Sequence, residues 1–195
     1  KLIGYAKDSY PAADSDSIQV QEVQYYCRQL IGLTKQEDIL REQMNTTAEP
    51  LAQFQIYQSM PGIGALSAAQ LVGEIGDILR FDNANQVNAY VGIDLNRYQS
   101  GKYQRQDHIN KRGNPHARAL LYLIVKNMIR QQAAAPNHIV DYYYQLKKQP
   151  IPKRDKVAIV ACMNKTLKCL YAMVMAGTKY RYRYTDSKST ISPES

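Results

Sequence analysis

The sequence predicts a mainly α fold: a helical hairpin or coiled-coil segment, followed by a helical domain containing a helix-hairpin-helix motif. Three observations lead there. Val23, Tyr26, Leu30, Leu33, Glu37, Leu40 and Met44 fall at alternating steps of three and four residues, a heptad stripe with one polar break at Glu37. Two glycines in Met60-Pro61-Gly62-Ile63-Gly64 stand directly before a run of small and apolar residues. Three further helical segments follow in the second half, two opening at prolines and the last stopping at a glycine.

Taken in order, residues 1–17 read as an irregular lead-in, with Pro11 and an Asp/Ser cluster. The chain opens without an initiator Met, which reads as a cut inside a larger protein. Ser17 is placed to cap the next helix. Residues 18–58 carry the heptad stripe, interrupted near Asn45-Thr46-Thr47 and Pro50. Two antiparallel helices, or one long helix pairing with a second copy, both fit that pattern. A domain over 59–177 then begins with the paired glycines and a helix over 66–75. Residues 83–91 read as a short helix ending at Gly92. Residues 94–113 have little apolar periodicity and many cations, as expected of an exposed loop or twisted hairpin. A segment of that kind is uncommon in a compact domain unless it is functional.

Asn114-Pro115 starts the next helix, with Asn as cap and Pro in the first turn. Leu120, Leu121, Ile124, Val125 and Met128 give it a buried face. A shorter helix from Pro136 carries Tyr142, Tyr143, Tyr144 and Leu146, for which packing is the default role. A basic link over 147–156 contains Pro150 and Pro152. The last helix covers about 155–176 and stops at Gly177. The tail, 178–195, is polar and expected to be disordered.

Charge is unevenly shared. The 195 residues carry a net +8. Residues 1–60 hold five Lys/Arg against eight Asp/Glu, and residues 61–195 hold 20 against nine. The basic charge belongs to the second part, and a polyanion is the natural partner. Cys27, Cys162 and Cys169 are odd in number and have no CxxC spacing. A shared helix would put 162 and 169 about 10 Å apart, too far for a disulfide. A reducing, cytoplasmic setting is the simple expectation. His108, His116 and His138 lack ligand spacing, so no metal site is expected in this chain. The longest apolar run, 157–163, is too short to span a membrane.

Glycines that permit close backbone approach, followed by the free amides of a helix start, can face a phosphate. Gly62 and Gly64 are therefore candidate nucleic-acid contacts, with a plain interhelical turn as the alternative. Lys111 and Arg112 precede the helix start at Asn114, where cations oppose the helix dipole unless an anion is bound there.

Met60-Pro-Gly-Ile-Gly, Gly73-Glu-Ile-Gly-Asp, Ala89-Tyr-Val-Gly-Ile-Asp, Gln99-Ser-Gly-Lys and Lys111-Arg-Gly-Asn-Pro follow one another in this order. That succession resembles the C-terminal domain of transposases of the insertion sequence 110/116/902 group, over about residues 58–177. The heptad region is similar to the coiled coil that precedes that domain. The resemblance implies a bacterial DNA recombinase whose N-terminal RuvC-like domain, essentially absent here, binds divalent metal such as Mg²⁺ through four acidic residues. It implies that Ser100 attacks a DNA strand and forms a serine-linked intermediate. Some members are guided by a structured noncoding RNA from their own element. One departure is visible: Asn110 stands where the family usually has Ser or Thr.

A serine hydroxyl is a weak nucleophile and needs a base, a metal or a cationic site. Lys102, Arg105, Lys111 and Arg112 can offset charge developing on a phosphate. These four, with Gly62, Gly64 and Asn114, form the expected nucleic-acid contacts around the catalytic Ser100. The expected assembly is a homo-oligomer through 18–58, soluble and without a membrane span. The alternative is a non-catalytic helix-hairpin-helix DNA-binding module with a coiled-coil assembly element, in which Ser100 is a turn residue beside Gly101.

Overall fold

The computed structural model describes residues 4, 13–14, 16–96, 99–100, 103–104 and 108–182, giving the backbone alone at 95–96, 99–100, 103–104 and 108. The chain is mainly α, as the sequence predicts. It divides into two compact units, Lys1–Gln43 and Met44–Ser195. The expected lead-in and tail fall mostly outside the described residues.

Helix α1, Ile18–Ala48, runs unbroken for 31 residues. Ser17 does cap it, its Oγ accepting from the Val20 amide at 3.4 Å. Asn45-Thr46-Thr47 do not interrupt it. The turn comes at 49–51, ahead of the short helix α2, Ala52–Gln58. A hairpin folded within 18–48 is therefore excluded. In the part of α1 that lies in the first unit, the heptad residues Val23, Tyr26, Leu30, Leu33 and Leu40 are all exposed.

In the second unit, α2 leads through the paired glycines into α3, Ala65–Ile75, and a 3₁₀ turn at Ile78–Arg80. Helix α4, Ala84–Val91, is capped by Asn83, whose side chain accepts from the amides of Asn85 and Gln86. It ends at Gly92 in the left-handed conformation. Two short antiparallel ladders follow, nested as in a hairpin. Strand β1, Leu95–Asn96, pairs antiparallel with β4, His108–Ile109, and β2, Gln99–Ser100, with β3, Tyr103–Gln104.

Helix α5, Pro115–Arg130, starts on Asn114 as expected. Helix α6, His138–Lys148, begins at Asn137 and not at Pro136. The Asn137 side chain accepts from the amides of Ile139 and Val140, which fixes the start there. Helix α7, Asp155–Met175, is the central element and packs against α2, α4, α5, α6 and the 3₁₀ turn. By length and composition α7 could cross a membrane, so the 157–163 run understates the apolar stretch. Its buried side chains, from Ala158 through Leu170 to Val174, are the middle of the core, and that accounts for its apolar sequence.

All three cysteines are free. Burial pushes the Cys162 thiol up to about 11, against the pull of Lys165, so it stays protonated at neutral pH. Among the described residues, chemistry that needs a thiolate has no support there.

Candidate nucleic-acid interface

The Met60-Pro61-Gly62-Ile63-Gly64 turn is built by burial at two positions and open space at a third. Met60 and Ile63 are in the core. Gly62 lies at φ +91°, and a Cβ there would meet Met128 Cγ at 2.5 Å, so only glycine lets α5 come this close. The Asn127 side chain secures the turn by donating to the Gly62 carbonyl at 2.9 Å. Gly64, by contrast, faces open space. It is the N-cap of α3 and supplies no side-chain acceptor, so the first-turn amides of α3 have no side-chain cap. A groove of about 620 Å³ opens beside Gly62, lined also by Ser67, Gln70, Lys126, Asn127 and Arg130. Lys126 and Arg130 were not singled out from sequence, because only the packing of α3 on α5 brings them to Gly62.

The second set of candidates lies at the other end of the same helix pair. Asn114 caps α5 with its Oδ1, which accepts from the amides of His116 and Ala117 at 2.9 and 3.1 Å. Its Nδ2 donates to Glu74 Oε2 at the end of α3, at 2.8 Å. Both ends of this side chain are thus committed within the protein. Lys111 and Arg112 precede it as an exposed turn, held by the Arg112 amide donating to Asn110 Oδ1 at 3.2 Å.

Backbone bonds tie Asn114 to α4 and close the base of the hairpin. The Asn114 amide donates to the Tyr90 carbonyl at 2.8 Å, and the Asn110 amide to the Asp94 carbonyl at 2.9 Å. Arg118 Nη1 donates to the Val91 carbonyl at 2.8 Å, and the Tyr90 hydroxyl to the Glu74 carbonyl at 3.1 Å. Gly92 and Gly113 meet face to face at this junction. Ser100 lies in β2, its partner across the ladder being Tyr103. Lys102 and Arg105 lie outside the described residues. The structure therefore gathers Lys111, Arg112 and Asn114 at the hairpin base and leaves Gly62 and Gly64 apart, at the far end of α3. Eleven residues of α3 at 1.5 Å per residue put these two places roughly 15–20 Å from each other.

Glu74 is the positioning residue that sequence reasoning missed, although it stands inside the Gly73-Glu-Ile-Gly segment. Its partner is 40 residues away, beyond any local pattern. Two further polar groups next to the hairpin also went unnoticed. Both side-chain amide atoms of Asn88 and Asp94 Oδ1 are buried with no hydrogen-bond partner. Arg41 forms an ion pair with Glu37 on α1, and among the described residues of 44–182 no Lys or Arg is seen paired with a carboxylate. No group of three or more His, Cys, Asp or Glu among them could hold a metal ion.

Residues 55–140 match the family model described as "Transposase IS116/IS110/IS902 family". The chain is 28% identical over 141 residues to the transposase for insertion sequence element IS1111A of Coxiella burnetii, covering 72% of this chain and 38% of that protein. It is 27% identical over 142 residues to a probable family 20 transposase of Pseudomonas aeruginosa, covering 73% and 41%. An insertion element IS110 protein of 43.6 kDa from Streptomyces coelicolor is 25% identical over 154 residues, covering 79% and 36%. The chain thus spans about two fifths of the length of these relatives.

Proposed function

We propose that this chain, whose residues 55–140 match the model of the transposase IS116/IS110/IS902 family, belongs to that family and is the DNA-binding and strand-transfer part of a transposase. The observation that carries the reading is the braced hairpin. A segment of 94–113 with little apolar content is closed at its base by the Asn110 amide bonding the Asp94 carbonyl, the Asn114 amide just beyond it bonds the Tyr90 carbonyl of α4, and the segment carries Ser100 in β2 and Lys111 and Arg112 at its foot. A loop of that length needs such bracing only if its tip must be positioned.

In this reading Ser100 Oγ attacks a DNA phosphorus. An Oγ–P bond forms as one P–O bond to deoxyribose breaks, and the serine proton goes, overall, to the leaving sugar oxygen. A strand hydroxyl later displaces the serine by the reverse exchange. Lys102, Arg105, Lys111 and Arg112 offset the charge on the phosphate. The uncapped start of α3 at Gly64, with Lys126 and Arg130 in the groove that Gly62 lines, takes a backbone phosphate further along the same duplex. A separation of 15–20 Å between the two places corresponds to about five steps of B-DNA at 3.4 Å each. The described residues do not fit a metal ion, so no step here is routed through one. The acidic, Mg²⁺-binding residues belong to a RuvC-like domain outside this chain, and a structured noncoding RNA is a further partner of the complete protein.

Binding is tested by salt dependence. Removing one cation that pairs with a phosphate flattens the log–log slope by roughly 0.9 on duplex DNA. Lys111→Ala with Arg112→Ala is expected to flatten it by about 1.8. An unchanged slope and affinity would remove these residues from the interface.

The exposed stripe on α1 favours a second role, assembly. Val23, Tyr26, Leu30, Leu33 and Leu40 lie on one 31-residue helix, and two such helices can bury them as a coiled coil. Sedimentation equilibrium is expected to give a mass of at least twice the chain's 22.2 kDa. Leu30→Asp with Leu33→Asp is expected to return it to the monomer mass. A monomeric parent protein would reject the seam.

A further inference from the structure

One side of α7 looks into an open trough instead of the core. Ile93, Ile109, Tyr142, Val157 and Val160 line a cavity there of about 520 Å³. A second hollow, of about 420 Å³, shares Ile109 and Val160 and continues along α5 past Tyr122 and Leu123. Val157 and Leu123 are 54% and 64% exposed. A contiguous apolar hollow of this size on helices that are otherwise well buried marks a binding surface.

The rim is cationic. Lys156 and Lys168 line the same cavity, together with Asn164. Lys165 Nζ sits 4.4 Å from the centre of the Tyr142 ring. The link leading into α7 adds Lys147, Lys148, Lys153 and Arg154. Residues 137–175 hold seven Lys/Arg against two Asp/Glu. Both acids are occupied by phenols: Asp155 Oδ1 accepts from Tyr143 at 2.5 Å and Asp141 Oδ2 from Tyr182 at 3.0 Å.

We infer that this trough holds single-stranded DNA, with unstacked bases on the apolar floor and phosphates on the lysine rim. The inference rests on the transposase reading above. A duplex keeps its bases stacked inside and offers an apolar floor nothing. A neutral apolar peptide would leave the lysines unmatched. Single strands meet both needs, since successive bases stack on apolar and aromatic side chains while cations follow the backbone. The location agrees: Ile93 and Ile109 flank the hairpin that carries Ser100, so a strand freed there lies beside the trough.

The test is fluorescence anisotropy with the full chain and four probes: an oligothymidylate, an abasic strand of equal length, an oligouridylate and a duplex. The oligothymidylate is expected to bind roughly tenfold more tightly than the abasic strand. Val157→Asp is expected to abolish that difference and leave duplex affinity unchanged. Asp at this position, in the first turn of α7, suits the helix dipole, so the helix is kept. Lys156→Ala with Lys168→Ala is expected to flatten the single-strand salt slope by about 1.4. Equal affinity for oligothymidylate and abasic strand, or no effect of Val157→Asp, overturns the inference. So does tighter binding of oligouridylate, which assigns the trough to RNA. A drop in solution mass on Val157→Asp also overturns it, by assigning the trough to a second copy of the chain. Binding to the duplex but not to single strands defeats this inference alone, whereas failure on every probe defeats the transposase reading beneath it.

Discussion

Gly113→Ala is expected to lower the melting temperature of this chain by about 10 °C. A Cβ at Gly113 would fall far inside van der Waals distance of the Tyr90 carbonyl oxygen, the Gly92 amide nitrogen and the Val91 carbonyl carbon. All three are backbone atoms, so no side-chain rotation relieves the clash. The segment after the hairpin must move away from the end of α4. Overpacking of that kind costs about 3 kcal/mol. The bonds that would be strained are the Asn114 amide to Tyr90 and Arg118 to Val91. Asn114→Ala probes the same junction more gently. It removes a helix cap and the bond to Glu74, for about 1–2 kcal/mol. Gly73→Ala supplies the contrast. Gly73 lies inside α3 with nothing near its absent Cβ, so alanine there is expected to stabilise by about 0.5–1 kcal/mol. Thermal unfolding followed by circular dichroism reads all three. A Gly113→Ala protein that melts within a degree or two of the parent would mean that α4 and the hairpin base are not in contact.

What the sequence made legible is what local chemistry controls. Asn83 and Asn114 announced their helices because an Asn side chain before a helical run has few better uses than bonding the first-turn amides. Gly92 announced a stop because its left-handed conformation suits glycine. The hairpin was legible as a polar segment without apolar periodicity, but its register was not, since two-residue ladders leave no alternating pattern to read. At α1 the sequence offered turn-forming residues at 45–47, and the helix continued through them. Thr and Asn lower helix propensity by only tenths of a kcal/mol each, and Pro50, which ends a helix outright, comes later. The candidate site was legible only in its parts. The Gly62–Gly64 turn and the Ser100–Arg112 stretch are each visible along the chain. Their placement at opposite ends of α3, and the Glu74 bond that ties α3 to Asn114, depend on partners 40 and more residues distant. The lysine rim of the α7 trough was visible as a basic link, but the floor it surrounds is assembled from four separate elements.

The largest effect on function is expected from a single oxygen. If the proposed reading holds, Ser100→Ala in the complete transposase should abolish serine-linked DNA and recombination while leaving DNA affinity within about twofold of the parent, since it would remove the proposed nucleophile and keep every cation proposed to pair with phosphate. The backbone argues that alanine is tolerated. Ser100 pairs with Tyr103 through main-chain groups, and β2–β3 forms with any residue that adopts extended geometry. The same oxygen is not sufficient. A neutral hydroxyl attacking a phosphodiester must lose its proton, and lysine or arginine at neutral pH offsets charge without accepting one. No described cluster of carboxylates, histidines or cysteines holds a metal that would do so. This chain by itself, given Mg²⁺ and element DNA, is therefore expected to bind and not to cut. Trapping of protein–DNA adducts on denaturing gels reads both expectations. Adducts from this chain alone would move the proton acceptor into it, to Asp94 first, whose buried Oδ1 lacks a partner near the hairpin. Full recombination by the Ser100→Ala transposase would reduce Ser100 to a turn residue and this chain to a DNA-docking and assembly module.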